Sequence, residues 1–453
     1  MRKINSGNNQ IKSIPTSIHN FAFTKNNFVQ IADLYKIFQQ FPSIQTDTRK
    51  VQKGDLFFAL KGPNFNGNLF ATDALTKGAV YAVVDEAQED ATGRLIFVED
   101  VLSTLQDLAK YHRETFQIPF IAITGSNGKT TTKELVSTVL ATHFKTATTE
   151  GNLNNHIGVP LTILKIKATT EIAVIEMGAN HQKEIESYCK YTEPTHGIIA
   201  NCGKAHLEGF GGVEGVRKGK GELYDYLRAH EGMAFLFNDY DYLMDMSKGI
   251  QKIFQYSTTD GDVVGTIESS EPYLSVALNK GFTPTTIDTS LVGEYNLPNV
   301  LCAVAVGKYF NVPEAKIVAA LEKYQPTNSR SQLMQLGSNH IILDAYNANP
   351  TSMKAAIENF AKMQVTKKVL MLGGMMELGP ESLQEHEAIV ALIKSYQWDA
   401  VVLVGGDFAK IKMDFTFLNN SEEAKTWYLE QGFENAYLLV KGSRSMQMEK
   451  IIQ

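Results

Sequence analysis

The chain has 453 residues, 43% hydrophobic and 20% charged, with 43 Lys and Arg against 49 Asp and Glu for a net charge of −6. This is ordinary globular usage, so global disorder is excluded, and so is a nucleic-acid binder acting through bulk positive charge. At about 150 residues per domain the length predicts roughly three domains. Cys189, Cys202 and Cys302 follow neither a metal-ligand spacing nor a disulfide framework, which points to a reducing compartment and a cytoplasmic location. No apolar run reaches the roughly 18 residues of a transmembrane helix, and no membrane insertion is expected.

Residues 1–20 are rich in Asn and Ser and are expected to form a loose leader without the apolar core of a signal peptide. The apolar runs Leu56–Leu60, Ala79–Val84 and Leu95–Val98 predict buried strands of a small α/β domain over 21–98. Helical spacing over 101–113 predicts a link to a central domain, 99–325. That domain opens with a strand at Phe120–Ile123 and continues with a helix carrying Leu135, Val136, Val139 and Leu140 on one face. Further strands are predicted at Ile172–Ile175 and Gly197–Ala200. After residue 232 the runs become short and β-like, and 297–307 and 313–324 look helical again.

From Pro326 the pattern alternates. Strands are predicted at Ile341–Leu343, Val369–Leu372, Val401–Val404 and Tyr437–Val440. Between them lie helical patterns such as Met353, Ile357, Phe360 and Leu383, Ile389, Val390, Ile393. Near-continuous apolar strands separated by helices predict a parallel, doubly wound, Rossmann-like domain over 326–453. The fold class is therefore α/β in three domains, with a parallel-sheet central domain.

The strongest motif is Thr124-Gly125-Ser126-Asn127-Gly128-Lys129-Thr130-Thr131, between a predicted strand and a predicted helix. That is the context of a phosphate-binding loop. Small residues let backbone N–H groups approach phosphate oxygens, and the helix N-terminus adds positive potential. Lys129 supplies charge to the β- and γ-phosphates of ATP, and Thr130 can offer its hydroxyl to Mg²⁺. Glu176 ends the strand Ile172–Ile175, where a carboxylate can ligate Mg²⁺ or simply cap a loop. His206 follows the strand Gly197–Ala200, and a lone His there is as compatible with structure as with catalysis. By the same reasoning Arg217-Lys218-Gly219-Lys220 is a solvated basic turn. Asn296 and Asn299 suit either one helical face or helix capping. His386 lies on an apolar helical face and is expected to be structural.

The set Gly125–Thr131, Asn152–Pro160, Glu176-Met177-Gly178 and Ala205–Gly211 resembles the Mur ligases, the ADP-forming amino-acid ligases of peptidoglycan synthesis. Asp344–Met353 and Lys441-Gly442-Ser443-Arg444 are most similar to the members that join D-alanyl-D-alanine to a UDP-N-acetylmuramoyl-tripeptide. The resemblance covers about residues 25–450 and implies three domains, with the UDP-sugar held by the first through Thr48 and Arg49. There the family's Asp-Gly-His appears as Asn66-Gly67-Asn68.

The same resemblance implies Glu176, His206 and a carbamylated Lys220 as Mg²⁺ ligands beside Thr130. It implies Asn296 and Asn299 on the adenine side, Arg330 on the ATP phosphates and Asp344 on the ribose. Asn154, Asn347, Asn349 and Ser352 are implied near the substrates. Lys129, Lys220, His206 and Arg330 would carry catalysis, through an acyl phosphate followed by amide formation. A monomer is expected. A sister ligase adding one amino acid is the alternative, although no Asp-Asn-Pro-Arg segment is present. A P-loop switch that only hydrolyses ATP would leave the third domain's motif without a role.

Overall fold

The computed structural model describes residues 28–89, 92–326 and 330–453, so the expected leader lies outside the described residues. The chain divides into two compact units, Met1–His112 and Arg113–Gln453. The first contains α1 (Ile31–Gln40), β1 (Ile44–Gln45), β2 (Leu56–Phe58), a hairpin of β3 (Lys61–Gly62) and β4 (Phe65–Asn66), α2 (Ala71–Lys77), β5 (Tyr81–Val84) and β6 (Leu95–Phe97), and α3 (Val101–Arg113) leads out of it. Its sheet is parallel in the order β1-β2-β5-β6. The predicted apolar runs are its inner strands β2 and β5 and the edge strand β6, with Phe57, Ala82 and Leu95 in one core cluster.

Asn68, where the family pattern has His, is buried as a hydrogen-bond hub. Its Nδ2 donates to Asp85 Oδ1 at 2.8 Å and to Asn66 Oδ1 at 3.0 Å, and its Oδ1 accepts from Asp85 N at 3.1 Å. Asp85 also accepts from Val101 N at 3.2 Å and pairs with Lys61 at 3.1 Å. The amide thus ties the β3–β4 hairpin, the end of β5 and the start of α3.

The second unit carries two sheets. The central one is built from β7 (Phe120–Thr124), α4 (Lys129–Ala141), β8 (Thr146–Thr148), α5 (Gly158–Leu164), β9 (Ile172–Glu176), α6 (Glu184–Thr192), β10 (His196–Ile199), α7 (Leu207–Phe210), α8 (Val213–Ala229), β11 (Met233–Phe237), α9 (Asp241–Met246), β12 (Lys252–Ser257), β13 (Val263–Ser269), β14 (Ser275–Lys280) and β15 (Thr285–Asp288), with α10 (Leu297–Tyr309) and α11 (Glu314–Lys323) following. Its nine strands run β15-β14-β13-β12-β11-β10-β7-β9-β8. The short runs after residue 232 therefore extend the same sheet, with β14 antiparallel to both its neighbours, β13 and β15. Residues 217–220 are not a solvated turn, because they lie inside α8. Its glycines read as turn punctuation, yet they let α8 approach α7: a Cβ on Gly215 would lie 1.9 Å from Phe210 O, and one on Gly219 2.4 Å from the Phe210 ring. Lys220 is carried inward and is 1% exposed.

The third sheet comprises β16 (Gln332–Leu336), β17 (Asn339–Asp344), α12 (Pro350–Lys362), β18 (Lys368–Gly373), α13 (Ser382–Lys394), β19 (Ala400–Val404), β20 (Thr416–Leu418), α14 (Ser421–Gln431) and β21 (Tyr437–Lys441). The order is β16-β17-β21-β18-β19-β20, parallel except for β16 against β17. The four predicted strands are its inner four. The edge strands β16 and β20 were not predicted, since they are only partly buried and lack a continuous apolar run. His386 is fully buried on α13, accepting from Met375 N at 3.0 Å and bonded to Ser382 O at 2.7 Å, a structural role. Leu383, placed on the same apolar face from sequence, is instead exposed. Among the described residues no helix is long and apolar enough to cross a membrane.

Removing the Asn68 amide leaves the buried Asp85 carboxylate short of a donor. Asn68→Ala is expected to destabilise the first unit by about 1–3 kcal/mol, the cost of an unmet buried polar group. Urea unfolding of the full chain checks this, and Asn68→Asp, which removes the donating amide, should be at least as damaging.

Candidate active site

β7 ends at Thr124, and the chain turns through Gly125–Gly128 into α4, which opens with Lys129, Thr130 and Thr131. Gly128 sits at φ 77°, and a Cβ there would come within 2.7 Å of Asn299 Oδ1. Only glycine meets both demands. The turn is pinned to the segment after β10. Ser126 N donates to Asn201 O and Ser126 Oγ to Gly203 O, both at 2.9 Å. Asn127 N donates to Asn201 Oδ1 at 3.0 Å, and Asn201 Nδ2 returns a bond to Asn127 O at 3.1 Å. Lys129 Nζ folds back over the loop, donating to Gly125 O at 2.8 Å and Ser126 O at 3.3 Å. Desolvation holds this ammonium below the ordinary lysine range; the Glu176 carboxylate opposes that shift and the Arg330 charge adds to it.

Glu176, at the end of β9, is 1% exposed. Its Oε1 accepts from Asn154 Nδ2 at 2.7 Å and Thr130 Oγ1 at 3.1 Å, and its backbone N donates to Thr149 Oγ1 at 2.9 Å. Its Oε2 is buried with no partner. An orphan carboxylate oxygen beside a hydroxyl suits a hard cation, and Mg²⁺ commonly takes one or two carboxylates together with substrate phosphates. Among the described residues no three His, Cys, Asp or Glu side chains converge on a metal position. His206 turns instead to Glu377, its Nδ1 bonded to Glu377 Oε2. Both residues have left-handed backbones, at φ 54° and 62°. Such conformations cost about 1–3 kcal/mol each in a non-glycine residue. Lys220 Nζ donates to Ala179 O at 3.0 Å and lies 4.8 Å from the centre of the Phe210 ring. Burial pushes its pKa down to about 7, helped by the Lys129 charge.

Asn296 and Asn299 share one helical face as their spacing predicted. Thr132 Oγ1 donates to Asn299 Oδ1 at 3.0 Å, Asn299 Nδ2 to Asn296 Oδ1 at 2.9 Å, and Asn296 Nδ2 to Val292 O at 2.9 Å. Neither caps α10 through its side chain. This relay ties α10 to the phosphate loop.

The third sheet supplies the facing wall. The Arg330 guanidinium lies 3.6 Å over the Tyr346 ring, with its Nε buried and unpaired. Asp344 accepts from Lys441 Nζ at 2.6 Å and from Ser331 N at 3.3 Å, while Lys441 also reaches Asn347 O at 3.2 Å. Asn349 and Ser352 form a capping box at the start of α12, next to a Pro in the first turn. Asn349 Nδ2 also donates to Asn127 Oδ1 of the phosphate loop at 2.7 Å. A cavity of about 770 Å³ lies between the two walls, lined by Lys129, Glu176 and His206 on one side and by Arg330, Asp344 and Asn347 on the other. Thr131, Asn154, Asn296, Asn299, Asn349 and Ser352 line it too. Lys220 is one residue removed, behind the lining residue Ala179. In the first unit, Thr48 opens a short turn and Arg49 is clamped by Asp47 at 2.9 and 2.7 Å, which lowers the Asp47 pKa to about 2.

Sequence reasoning assigned no role to Glu377, nor to Tyr346 or Lys441, although the last two stand within motifs that it singled out. Asn201 carried no sequence signal at all. Residues 40–113, 123–307 and 329–444 match the models described as Mur ligase family, catalytic domain; Mur ligase middle domain; and Mur ligase, glutamate ligase domain. The chain belongs to the Mur ligase family. It is 32% identical to the UDP-N-acetylmuramoyl-tripeptide–D-alanyl-D-alanine ligase of Bacillus subtilis, with 90% of this chain and 92% of that one covered. Among solved structures it is similar to MurF from Acinetobacter baumannii (TM-score 0.84, 31% identity, 94% and 98% covered). It is also similar to the MurF ligase of Thermotoga maritima in complex with ADP (TM-score 0.81, 25% identity, 90% and 96% covered).

Among the described residues the Lys129 ammonium bonds only to its own loop's carbonyls, so it can exchange them for phosphate oxygens. Lys129→Ala should lose at least about a hundredfold in turnover, the scale of one removed electrostatic donor. Steady-state ADP release measures it, and circular dichroism should show an unchanged fold.

Proposed function

We propose that the chain is an ATP-dependent, ADP-forming ligase that adds D-alanyl-D-alanine to UDP-N-acetylmuramoyl-tripeptide in peptidoglycan precursor synthesis. The observation that carries the reading is the single cavity faced by a phosphate loop on one wall and by the Asp344–Ser352 segment on the other. Relatives that bear this activity in their names align over 90–91% of this chain.

The tripeptide's terminal carboxylate oxygen attacks the γ-phosphorus of ATP, ADP leaves, and an acyl phosphate remains. Positioning and charge neutralisation dominate such a step. Lys129 and the loop N–H groups hold the phosphates, and Arg330, braced by Tyr346, approaches from the opposite wall. Asp344, itself held by Lys441, offers a carboxylate to the ribose hydroxyls. Asn296 and Asn299 face the adenine side. Thr130, Glu176 and His206 would hold Mg²⁺, with Lys220 as a carbamate; the cation supplies charge neutralisation at the phosphate oxygens. The amine of D-alanyl-D-alanine, deprotonated, then attacks the acyl carbon and phosphate leaves. Asn154, Asn347, Asn349 and Ser352 stand on the substrate side, and Thr48 and Arg49 in the first unit take the UDP-sugar. We place the enzyme in the cytoplasm as a monomer of three functional segments, 21–98, 99–325 and 326–453.

ADP release should require both the UDP-linked tripeptide and D-alanyl-D-alanine. Turnover with single amino acids at a comparable rate would instead assign the sister activity, and turnover with no amine would assign a hydrolytic switch.

A carbamate forms from CO₂ and a neutral amine, and a buried lysine titrating near 7 supplies that amine at neutral pH. Lys220→Ala should lose at least about a hundredfold in turnover. Added formate should restore part of it, whereas exposed Lys218→Ala should leave the rate unchanged. A normal rate in Lys220→Ala would return that residue to a packing role.

A further inference from the structure

The segment after β10 is clasped by the third sheet's loops. Lys204 N donates to Thr351 Oγ1 at 3.0 Å, Lys204 Nζ pairs with Glu385 at 2.5 Å, and Glu208 N reaches Glu377 O at 3.3 Å. In the middle of this clasp stands the His206–Glu377 pair, which joins residues 171 apart in the chain. His206 lines the cavity, whereas Glu377 lies outside its lining, with a side chain that is 53% exposed. Ion pairs so open to solvent add little stability. Yet both partners keep strained left-handed backbones. The pair's own stability therefore does not account for the arrangement.

We propose that Glu377 is a positioning residue for His206: reaching across from the third sheet, it fixes the imidazole so that Nε2 is presented to the cavity. With Nδ1 donating to the carboxylate, the neutral ring keeps its proton on Nδ1 and its lone pair on Nε2, the state a metal ligand needs. The central sheet alone cannot supply this carboxylate. The His206 ring is then held in this orientation only while the third sheet's loops clasp the segment after β10, which ties metal retention to that clasp. The inference rests on the reading of His206 as a Mg²⁺ ligand.

The test is Mn²⁺ titration of the full-length enzyme with ADP present, alongside kcat and KM for ATP. Glu377→Ala should weaken Mn²⁺ binding and lower kcat by about 10- to 100-fold, the range for removing such a partner of a metal-bound His. KM for ATP should move little. Glu377→Gln, whose amide oxygen still accepts from Nδ1, should recover part of both and serves if the alanine variant folds poorly. Glu385→Ala, which loosens the same clasp through Lys204, should leave Mn²⁺ affinity within about twofold. Weakening in His206→Ala without weakening in either Glu377 variant overturns the role of Glu377. Equal weakening in Glu385→Ala reduces it to a loop tether and overturns it as well. Unchanged Mn²⁺ affinity in His206→Ala overturns the ligand reading itself.

Discussion

The second unit is organised around charge that is buried without a direct ion pair. Along the edge formed by the C-terminal ends of the inner strands β7 and β9, Glu176 and Lys220 are buried and Lys129 is half-buried, and no ion pair joins any two of them. Each is held by neutral groups: Lys129 by Gly125 and Ser126 carbonyls, Lys220 by the Ala179 carbonyl, Glu176 by the Thr130 hydroxyl and the Asn154 amide. Such an arrangement is costly, because desolvation disfavours every charged form. It keeps each group's capacity for an incoming ligand. A lysine bonded to backbone carbonyls can exchange them for phosphate, and a carboxylate with one oxygen satisfied still has the other to offer.

The surrounding structure serves to keep this edge rigid. The Asn201 amide brackets Asn127, the Asn296–Asn299–Thr132 relay fixes α10 to α4, and Gly128 admits the Asn299 side chain against the loop. These neutral hydrogen bonds are modest singly, but in a dry site they specify one geometry. The facing wall follows the same logic. Tyr346 fixes the plane of the Arg330 guanidinium, and Lys441 fixes Asp344. A family resemblance that transfers only ligand-touching residues passes over these supports, since they touch other side chains.

Where the chain departs from the family pattern, neighbouring residues absorb the change. Asn68 stands in place of His and is consumed entirely by Asp85, Asn66 and the end of β5. The Tyr295 hydroxyl lies 3.0 Å from Ser331 Oγ, linking the start of α10 to the residue beside Arg330.

The sequence by itself determined what is local. The phosphate loop, the apolar inner strands of all three sheets and the amphipathic helices α4, α12 and α13 were legible because backbone conformation and burial periodicity are written within a few consecutive residues. Tertiary structure alone decided what joins distant residues. That β12–β15 extend the central sheet depends on pairing partners, since short half-polar strands carry no sign of their neighbours. Lys220 looked solvated because Arg217-Lys218-Gly219-Lys220 reads as a basic turn, and only Phe210 packed against Gly215 and Gly219 puts it on the buried face of α8. Asp344 meets Lys441 across 97 residues and His206 meets Glu377 across 171, distances over which spacing conveys nothing. The residue types were visible throughout; their pairing was fixed by where folding brings the ends of the strands together.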